Sequence, residues 1–249
     1  MQTNKIAHDE FKFTGYVTGK NTVYDDIMQI RAGEYISINL SGDIERSYYY
    51  QYIHKDFSLS PYDKALQELD KKVTIAIQRL IIFANGRQLI IPLSGGFDSR
   101  LIVLKLNTLG YKNVLCFSYG RENNKESLIS KKVASHLGFK WTFINYDPII
   151  KALHEGKSIK NYYKFAHRGV SLPHIQDFLA VHQLKENSDI QKDAIFVPGH
   201  SGDFLAGSHL TQLELNNDEL NDEQIAQQIL QKHYVFFKLN QKKKKGFFK

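Results

Sequence analysis

Six residues, Ser94-Gly95-Gly96-Phe97-Asp98-Ser99, carry the clearest chemistry in the chain. They follow the apolar run Ile90-Ile91-Pro92-Leu93 and precede a stretch of helical character. A small turn between strand and helix presents backbone N–H groups at a helix N-terminus, where orphan donors and the helix dipole favour a bound anion. Gly95 and Gly96 let the main chain approach a phosphate closely, and the hydroxyls of Ser94 and Ser99 can donate to its oxygens. Asp98 is the exception in this set. A carboxylate beside a phosphate repels it unless a cation lies between them, so Asp98 points to Mg²⁺. The pattern is not the Gly-Lys-Ser/Thr ending of a Walker loop. The bland alternative is a Ser-Gly-Gly turn with a capping Asp; the full hexapeptide between strand and helix favours the phosphate reading.

A second loop, Pro198-Gly199-His200-Ser201-Gly202-Asp203, follows the apolar run Ala194-Ile195-Phe196-Val197. It again combines small residues with one Asp. Taken with the first loop, it makes Asp98 and Asp203 the candidate pair for one Mg²⁺ beside a bound phosphate. Taken alone it reads as a polar loop.

The elements that must position these loops follow from periodicity. Apolar residues Leu66, Leu69, Val73, Ile75, Ile77 and Leu80 recur at helical spacing, which predicts a helix over 62–84. Strands are expected at 88–93, 113–118, 140–146 and 194–197. Helices are expected at 100–109, closed by Gly110, and at 125–137, closed by Gly138. Further helices are expected around 149–154 and 175–184. Residues 11–50 read as β-structure, with a hairpin of 35–40 and 44–50 around Ser41-Gly42-Asp43. Alternating strands and helices predict an α/β fold with a parallel sheet covered on both faces, whose ligands sit at the carboxyl ends of the strands. Both glycine-containing loops fall on that edge. The expected organisation is a β-rich segment at 1–60, the α/β domain at 61–235 and a basic tail at 236–249.

Composition narrows the classes. The net charge of +7 comes mostly from Lys242, Lys243, Lys244, Lys245 and Lys249 at the end of the chain, which argues against nucleic acid as the partner. Cys116 is the single cysteine, so there is no disulfide framework or thiolate metal cluster, and its place in an expected strand suggests burial. No run approaches the roughly 18–20 apolar residues of a membrane span. Met1-Gln2-Thr3-Asn4-Lys5 lacks a signal peptide's apolar core. These absences point to a cytoplasmic protein without a membrane partner. Among isolated residues, Trp141 is expected in the core, His136 at a helix C-terminus, and Arg168 is a candidate to meet a substrate carboxylate.

The hexapeptide matches the signature of the PP-loop ATP pyrophosphatases, which cleave ATP between its α- and β-phosphates and adenylate a substrate. The whole set of motifs resembles the asparagine synthetase family of glutamine-dependent amidotransferases: Leu93 to Ser99, then Phe117-Ser118-Tyr119-Gly120, Glu126-Ser127, His136-Leu137-Gly138, and Pro198 through Phe204 where the family has Ser-Gly-Glu-Gly-x-Asp-Glu. The resemblance covers about residues 61–210. Residues Gly15-Tyr16-Val17, Asn21-Thr22-Val23-Tyr24 and Arg31-Ala32-Gly33-Glu34-Tyr35 also resemble the last strands of the family's glutaminase domain. The glutaminase nucleophile is a cysteine at the second position. Gln2 stands there, so glutamine hydrolysis is not carried over.

The resemblance implies a fold of the PP-loop, adenine nucleotide alpha-hydrolase-like type with a small N-terminal β segment. It implies ATP and Mg²⁺ as cofactors, with Leu93, Ser94, Gly95, Gly96, Asp98 and Ser99 holding the phosphates and AMP. The backbone of Tyr119 would lie against adenine, Pro198 and Gly199 would complete the nucleotide pocket, and Asp98 and Asp203 would ligate Mg²⁺. Asp98, Asp203 and Ser99 form the expected catalytic set. The implied reaction is an AMP-forming amide ligation of amino-acid biosynthesis: adenylation of a carboxylate, either aspartate or a sugar carboxylate, then attack by ammonia from a separate source. Two departures weaken aspartate as the acceptor: His200 stands where the family has Glu, and Phe204 where it has an acid. The chain also ends soon after the second motif, short of a basic residue that the family uses on pyrophosphate. The alternative is therefore a truncated member that binds nucleotide without turnover.

Overall fold

The computed structural model describes residues 1–53, 61–149, 156–186, 190–208, 210–216 and 219–236. In chain order its elements are α1 (Lys5–Thr14), β1 (Glu34–Ile38), β2 (Ile44–Tyr48), α2 (Tyr62–Ala84), β3 (Leu89–Pro92), α3 (Phe97–Thr108), β4 (Val114–Gly120), α4 (Lys125–His136) and β5 (Lys140–Asn145). There follow α5 (Lys157–His167), α6 (Ile175–Glu186), β6 (Ile195–Phe196), α7 (Ser201–Leu205), α8 (Gln212–Asn216) and α9 (Asp222–His233). The chain divides into two compact units, one of Ser58–Ile159 with His174–Leu210, the other of Met1–Phe57 with Lys160–Pro173 and Thr211–Lys249.

The first of these units is the α/β unit. Its sheet is parallel, in the order β5-β4-β3-β6. Parallel strands covered on both faces read as continuous apolar runs, and β3 and β4 do so. Leu89, Ile91, Leu93, Val114 and Cys116 face one way and pack with Ile77, Ala84, Val103, Leu106 and Ala134 from α2, α3 and α4. Ile90, Leu115 and Phe117 face the other way onto Leu179, Ala180 and Leu184 of α6. Burial in the first layer pushes the Cys116 thiol up to about 12, so it stays a neutral, inert core group. The strand order holds the main functional consequence. The chain runs outward from β3 to β5 and then returns to lay β6 on the other side of β3. The order in which strands are added therefore reverses between β3 and β6, and in open parallel sheets the crevice at such a switch point is where ligands bind.

Local signals account for the helix ends. The Asn124 side chain accepts the Ser127 N–H and starts α4. Asn85, in the left-handed region at φ 46°, ends α2. The expected helix over 62–84 agrees with α2, but Leu66 and Leu69 are exposed, so the apolar stripe on its first half is not a core face. The helix expected from Arg100 begins earlier, at Phe97, which puts Asp98 and Ser99 inside its first turn.

The second unit holds the hairpin β1–β2, paired antiparallel with Ile36 opposite Arg46. Its small apolar cluster is Ala7, Val17 and Val23. Glu34, buried, is held by Arg31 at 3.1 Å and Arg46 at 3.2 Å. Those hydrogen bonds lower its carboxyl to about 2. The β-structure expected from residue 11 gives way to helix at Phe11–Thr14, where the Asn4 side chain caps α1 and Gly15 at φ 81° ends it. Helices α5 and α9 were not expected. The capping box of Asn221 and Gln224 at the start of α9 is a signal the sequence does contain. The helix expected around 149–154 lies outside the described residues beyond Ile149, and so does the basic tail beyond Phe236. No helix among the described residues is long and apolar enough to cross a membrane.

Candidate functional site

The turn after β3 is closed by its own hydroxyls. Ser99 Oγ accepts the Ser94 N–H at 3.1 Å and lies 3.2 Å from Ser94 Oγ, which in turn accepts the Gly96 N–H at 3.1 Å. Gly96 then precedes helix α3 as its N-cap and offers no side chain, so the first N–H groups of a twelve-residue helix have no capping side chain. That is the arrangement in which a helix start receives an anion. Gly95 packs on the start of α4, with a Cβ placed there lying 3.5 Å from Glu126.

The loop after β6 lies directly on this turn. A Cβ at Gly199 would lie 3.1 Å from the Ser99 nitrogen. A Cβ at Gly202 would lie 2.4 Å from both Cγ and Oδ1 of Asp98, a separation that real side chains do not adopt. The small residues of the second loop are thus fixed by the first loop's backbone and carboxylate. Their absence of side chains brings Asp98 and Asp203 onto one cavity.

That cavity is about 440 Å³ and lies within the α/β unit at the carboxyl ends of β3, β4 and β6. Of the residues expected in the site, Leu93, Ser94, Gly96, Asp98, Ser99, Tyr119, Gly199 and Asp203 line it. Gly95 and Pro198 do not, since Gly95 is turned to α4 and Pro198 is exposed. Arg168 belongs to the other unit, where its guanidinium lies over the Phe165 ring. Ser99 is buried, and its hydroxyl oxygen serves the turn itself.

Sequence reasoning did not single out Ser118, Gln176 and Asp177, which also line the cavity with His200 and Glu126. Asp177 braces the wall: Tyr119 donates to its Oδ1 at 2.6 Å, and His174 Nδ1 lies 2.9 Å from its Oδ2. The Tyr119 and Tyr146 rings stack at 5.1 Å and 10°, and the Tyr146 hydroxyl donates to the Gln176 carbonyl. Burial first, then the hydrogen bond to Asp177, raises the Tyr119 phenol above its ordinary value, so it remains a donor. Nothing in the sequence marks Asp177 apart from any other acid in a helix's first turn; only the fold brings it to Tyr119.

Asp98 and Asp203 are hard oxygen donors of the type Mg²⁺ selects. Among the described residues no group of three His, Cys, Asp or Glu side chains could hold a metal ion. A cation here therefore fits only as a bridge, completed by phosphate oxygens and water, which is how Mg²⁺ ordinarily sits with nucleotides. The cavity lining contains no Lys or Arg among the described residues.

No protein-family model matches the chain. A probable asparagine synthetase (glutamine-hydrolyzing) of Acanthamoeba polyphaga mimivirus is 24% identical over 246 residues, which cover 90% of this chain and 43% of that protein. The chain thus spans less than half the length of this relative. Among solved structures, an NH3-dependent NAD synthetase from Campylobacter jejuni aligns with a TM-score of 0.38 and 14% identity, over 66% of this chain and 71% of that one. A predicted subunit of tRNA methyltransferase from Methanocaldococcus jannaschii aligns with a TM-score of 0.27 and 18% identity, over 64% of this chain and 73% of that one. The sequence relative, matching nine-tenths of the chain, bears out the resemblance to the asparagine synthetase family that the motifs carry.

Proposed function

We propose that the α/β unit binds ATP with Mg²⁺ and activates a carboxylate as its adenylate, which ammonia then converts to an amide. The observation that carries this reading is the seating of Gly199 and Gly202 against Ser99 and Asp98, which puts an uncapped helix start and two carboxylates on one cavity. The uncapped start of α3 would take the phosphates, and Ser94 would donate to their oxygens. Asp98 and Asp203 would hold Mg²⁺, which when bound neutralises charge on the phosphates and on the departing pyrophosphate. Asp177 and Tyr146 would keep Tyr119 in place as one wall for the base. The acceptor is a carboxylate, aspartate or a sugar acid, with His200 standing where the family has Glu.

One observation favours the second reading, a nucleotide-binding module without turnover. Charge that develops on leaving pyrophosphate is usually met by fixed donors and cations, and the described cavity lining has no Lys or Arg. Pyrophosphate and AMP release, measured with ATP and MgCl₂ across a panel of carboxylates and ammonium, separates the two. AMP formation that depends on one acceptor supports the ligase. ATP binding by calorimetry without AMP formation supports the module. Absence of ATP binding removes both.

A further inference from the structure

The carbonyl that leads into the phosphate turn is held by a line of side chains running back to the chain's only tryptophan. Ser118 Oγ lies 2.7 Å from the Leu93 carbonyl and 2.6 Å from Ser130 Oγ. Trp141 Nε1 lies 2.8 Å from Ser130 Oγ and 3.3 Å from Ser118 Oγ. Counting protons fixes the direction. An indole N–H can only donate and a carbonyl can only accept, while each serine has a single proton. Ser118 must therefore give its proton to Leu93, Ser130 must give its own to Ser118, and Trp141 must donate to Ser130. Ser118 and Ser130 are both buried, and bonds that all point one way polarise one another in a low-dielectric interior. The chain crosses three elements, β5, α4 and β4, and ends one residue before Ser94.

We propose that Trp141, Ser130 and Ser118 form a positioning chain for the Ser94–Ser99 turn. By fixing the Leu93 carbonyl it sets where the turn's N–H groups point, and it makes the Trp141 indole a reporter of the turn's occupancy. The reporter half rests on the proposed nucleotide site; the positioning half does not. Ser130 and Trp141 do not line the cavity, so they act only through Ser118.

The test has two arms on the full chain. In the first, amide hydrogen exchange is followed without ligand in wild type, Ser130→Ala and Trp141→Phe. Ser94 and Gly96 donate within the turn, so their exchange reads its order. Removing a link leaves buried polar groups unpaired, and their exchange is expected to quicken about tenfold while α2 amides keep their rates. Unchanged exchange at Ser94 and Gly96 in both variants overturns the chain, and so does an equal acceleration throughout α2, which marks general destabilisation. In the second arm, ATP with MgCl₂ is titrated by calorimetry and by Trp141 emission. Wild type is expected to change its emission as it binds; Ser130→Ala is expected to bind about tenfold more weakly and to lose that change. Binding without an emission change in wild type overturns the reporter. Absence of ATP binding in wild type defeats the nucleotide reading and the reporter with it, while the exchange arm still decides the positioning.

Discussion

The turn after β3 is closed by its own side chains, whereas the loop after β6 takes its shape from what it packs against. In the first, Ser99 Oγ holds the Ser94 N–H and Ser94 Oγ holds the Gly96 N–H, all within six residues. In the second, His200 opens α7 without a side-chain cap. What fixes that loop is the proximity of Gly199 to Ser99 and of Gly202 to Asp98. The first is closed by bonds within the motif, although its entry at Leu93 is held by Ser118 from β4. The second is a tertiary fit whose meaning exists only once β6 lies beside β3. The proposed Mg²⁺ site needs both, because each loop supplies one of the two carboxylates.

The sharpest way to break the comparison is to fill the gap between the loops. Gly202→Val would put a branched side chain where Asp98 Cγ and Oδ1 are. Overpacking of this kind costs roughly 1–3 kcal/mol, and here the strain falls on a candidate metal ligand. We expect Mg²⁺-dependent ATP affinity to fall about a hundredfold by calorimetry, with far-ultraviolet circular dichroism retained. Wild-type affinity in Gly202→Val would mean that the loops do not meet in this way.

Asp98→Asn tests the carboxylate without disturbing the fit. ATP binding should weaken about tenfold with MgCl₂, as expected when a ligand sphere loses a member. With Mg²⁺ removed by chelator the variant should bind at least as well as wild type, since it no longer repels phosphate. Equal weakening with and without Mg²⁺ would assign Asp98 to the turn's structure instead of to the cation.

The same contrast explains what could be read from the chain. The strands around Leu89–Pro92 and Val114–Gly120 and the helix Tyr62–Ala84 were legible because continuous apolar runs and helical spacing are local properties. Ser94 to Ser99 was legible because its bonds close within the motif. Asp177 was not legible, since its partner Tyr119 lies 58 positions away, and neither was the proton line from Trp141 to Leu93. The exposure of Leu66 and Leu69 was missed for the converse reason: the period marks an apolar stripe but does not say what covers it. The start of α3 at Phe97 was missed because Ser-Gly-Gly carries turn chemistry that masks a helix's first turn.

Ser99→Ala probes the self-closed turn. It leaves the Ser94 N–H without its hydroxyl partner, a loss of about 1 kcal/mol in order-of-magnitude terms. The expected outcome is a roughly fivefold loss in ATP affinity that is the same with and without Mg²⁺. That insensitivity distinguishes a turn residue from a metal-site residue. A Mg²⁺-dependent loss would move Ser99 from the turn to the cation.

The smallest effect should come from the wall that both loops share. Tyr119 donates to Asp177 Oδ1, and Asp177 also meets His174, whose ring lies 6.1 Å from that of His200 in the second loop. The brace thus runs from β4 through α6 to the loop that carries Asp203. Tyr119→Phe keeps the ring and its stacking on Tyr146 but removes the phenol proton. Asp177→Asn keeps the shape but replaces the charged acceptor. If the two act through one bond, each single change should weaken ATP binding about threefold, and the double change should add little to either. Their coupling in thermal stability should then be about 1.5 kcal/mol, the low end for a hydrogen bond to a charged acceptor, because the wall is only partly buried. Additive losses would show that Tyr119 and Asp177 meet the ligand independently. The second loop would then depend on the fit of Gly199 and Gly202 alone, which would sharpen the contrast between the two loops.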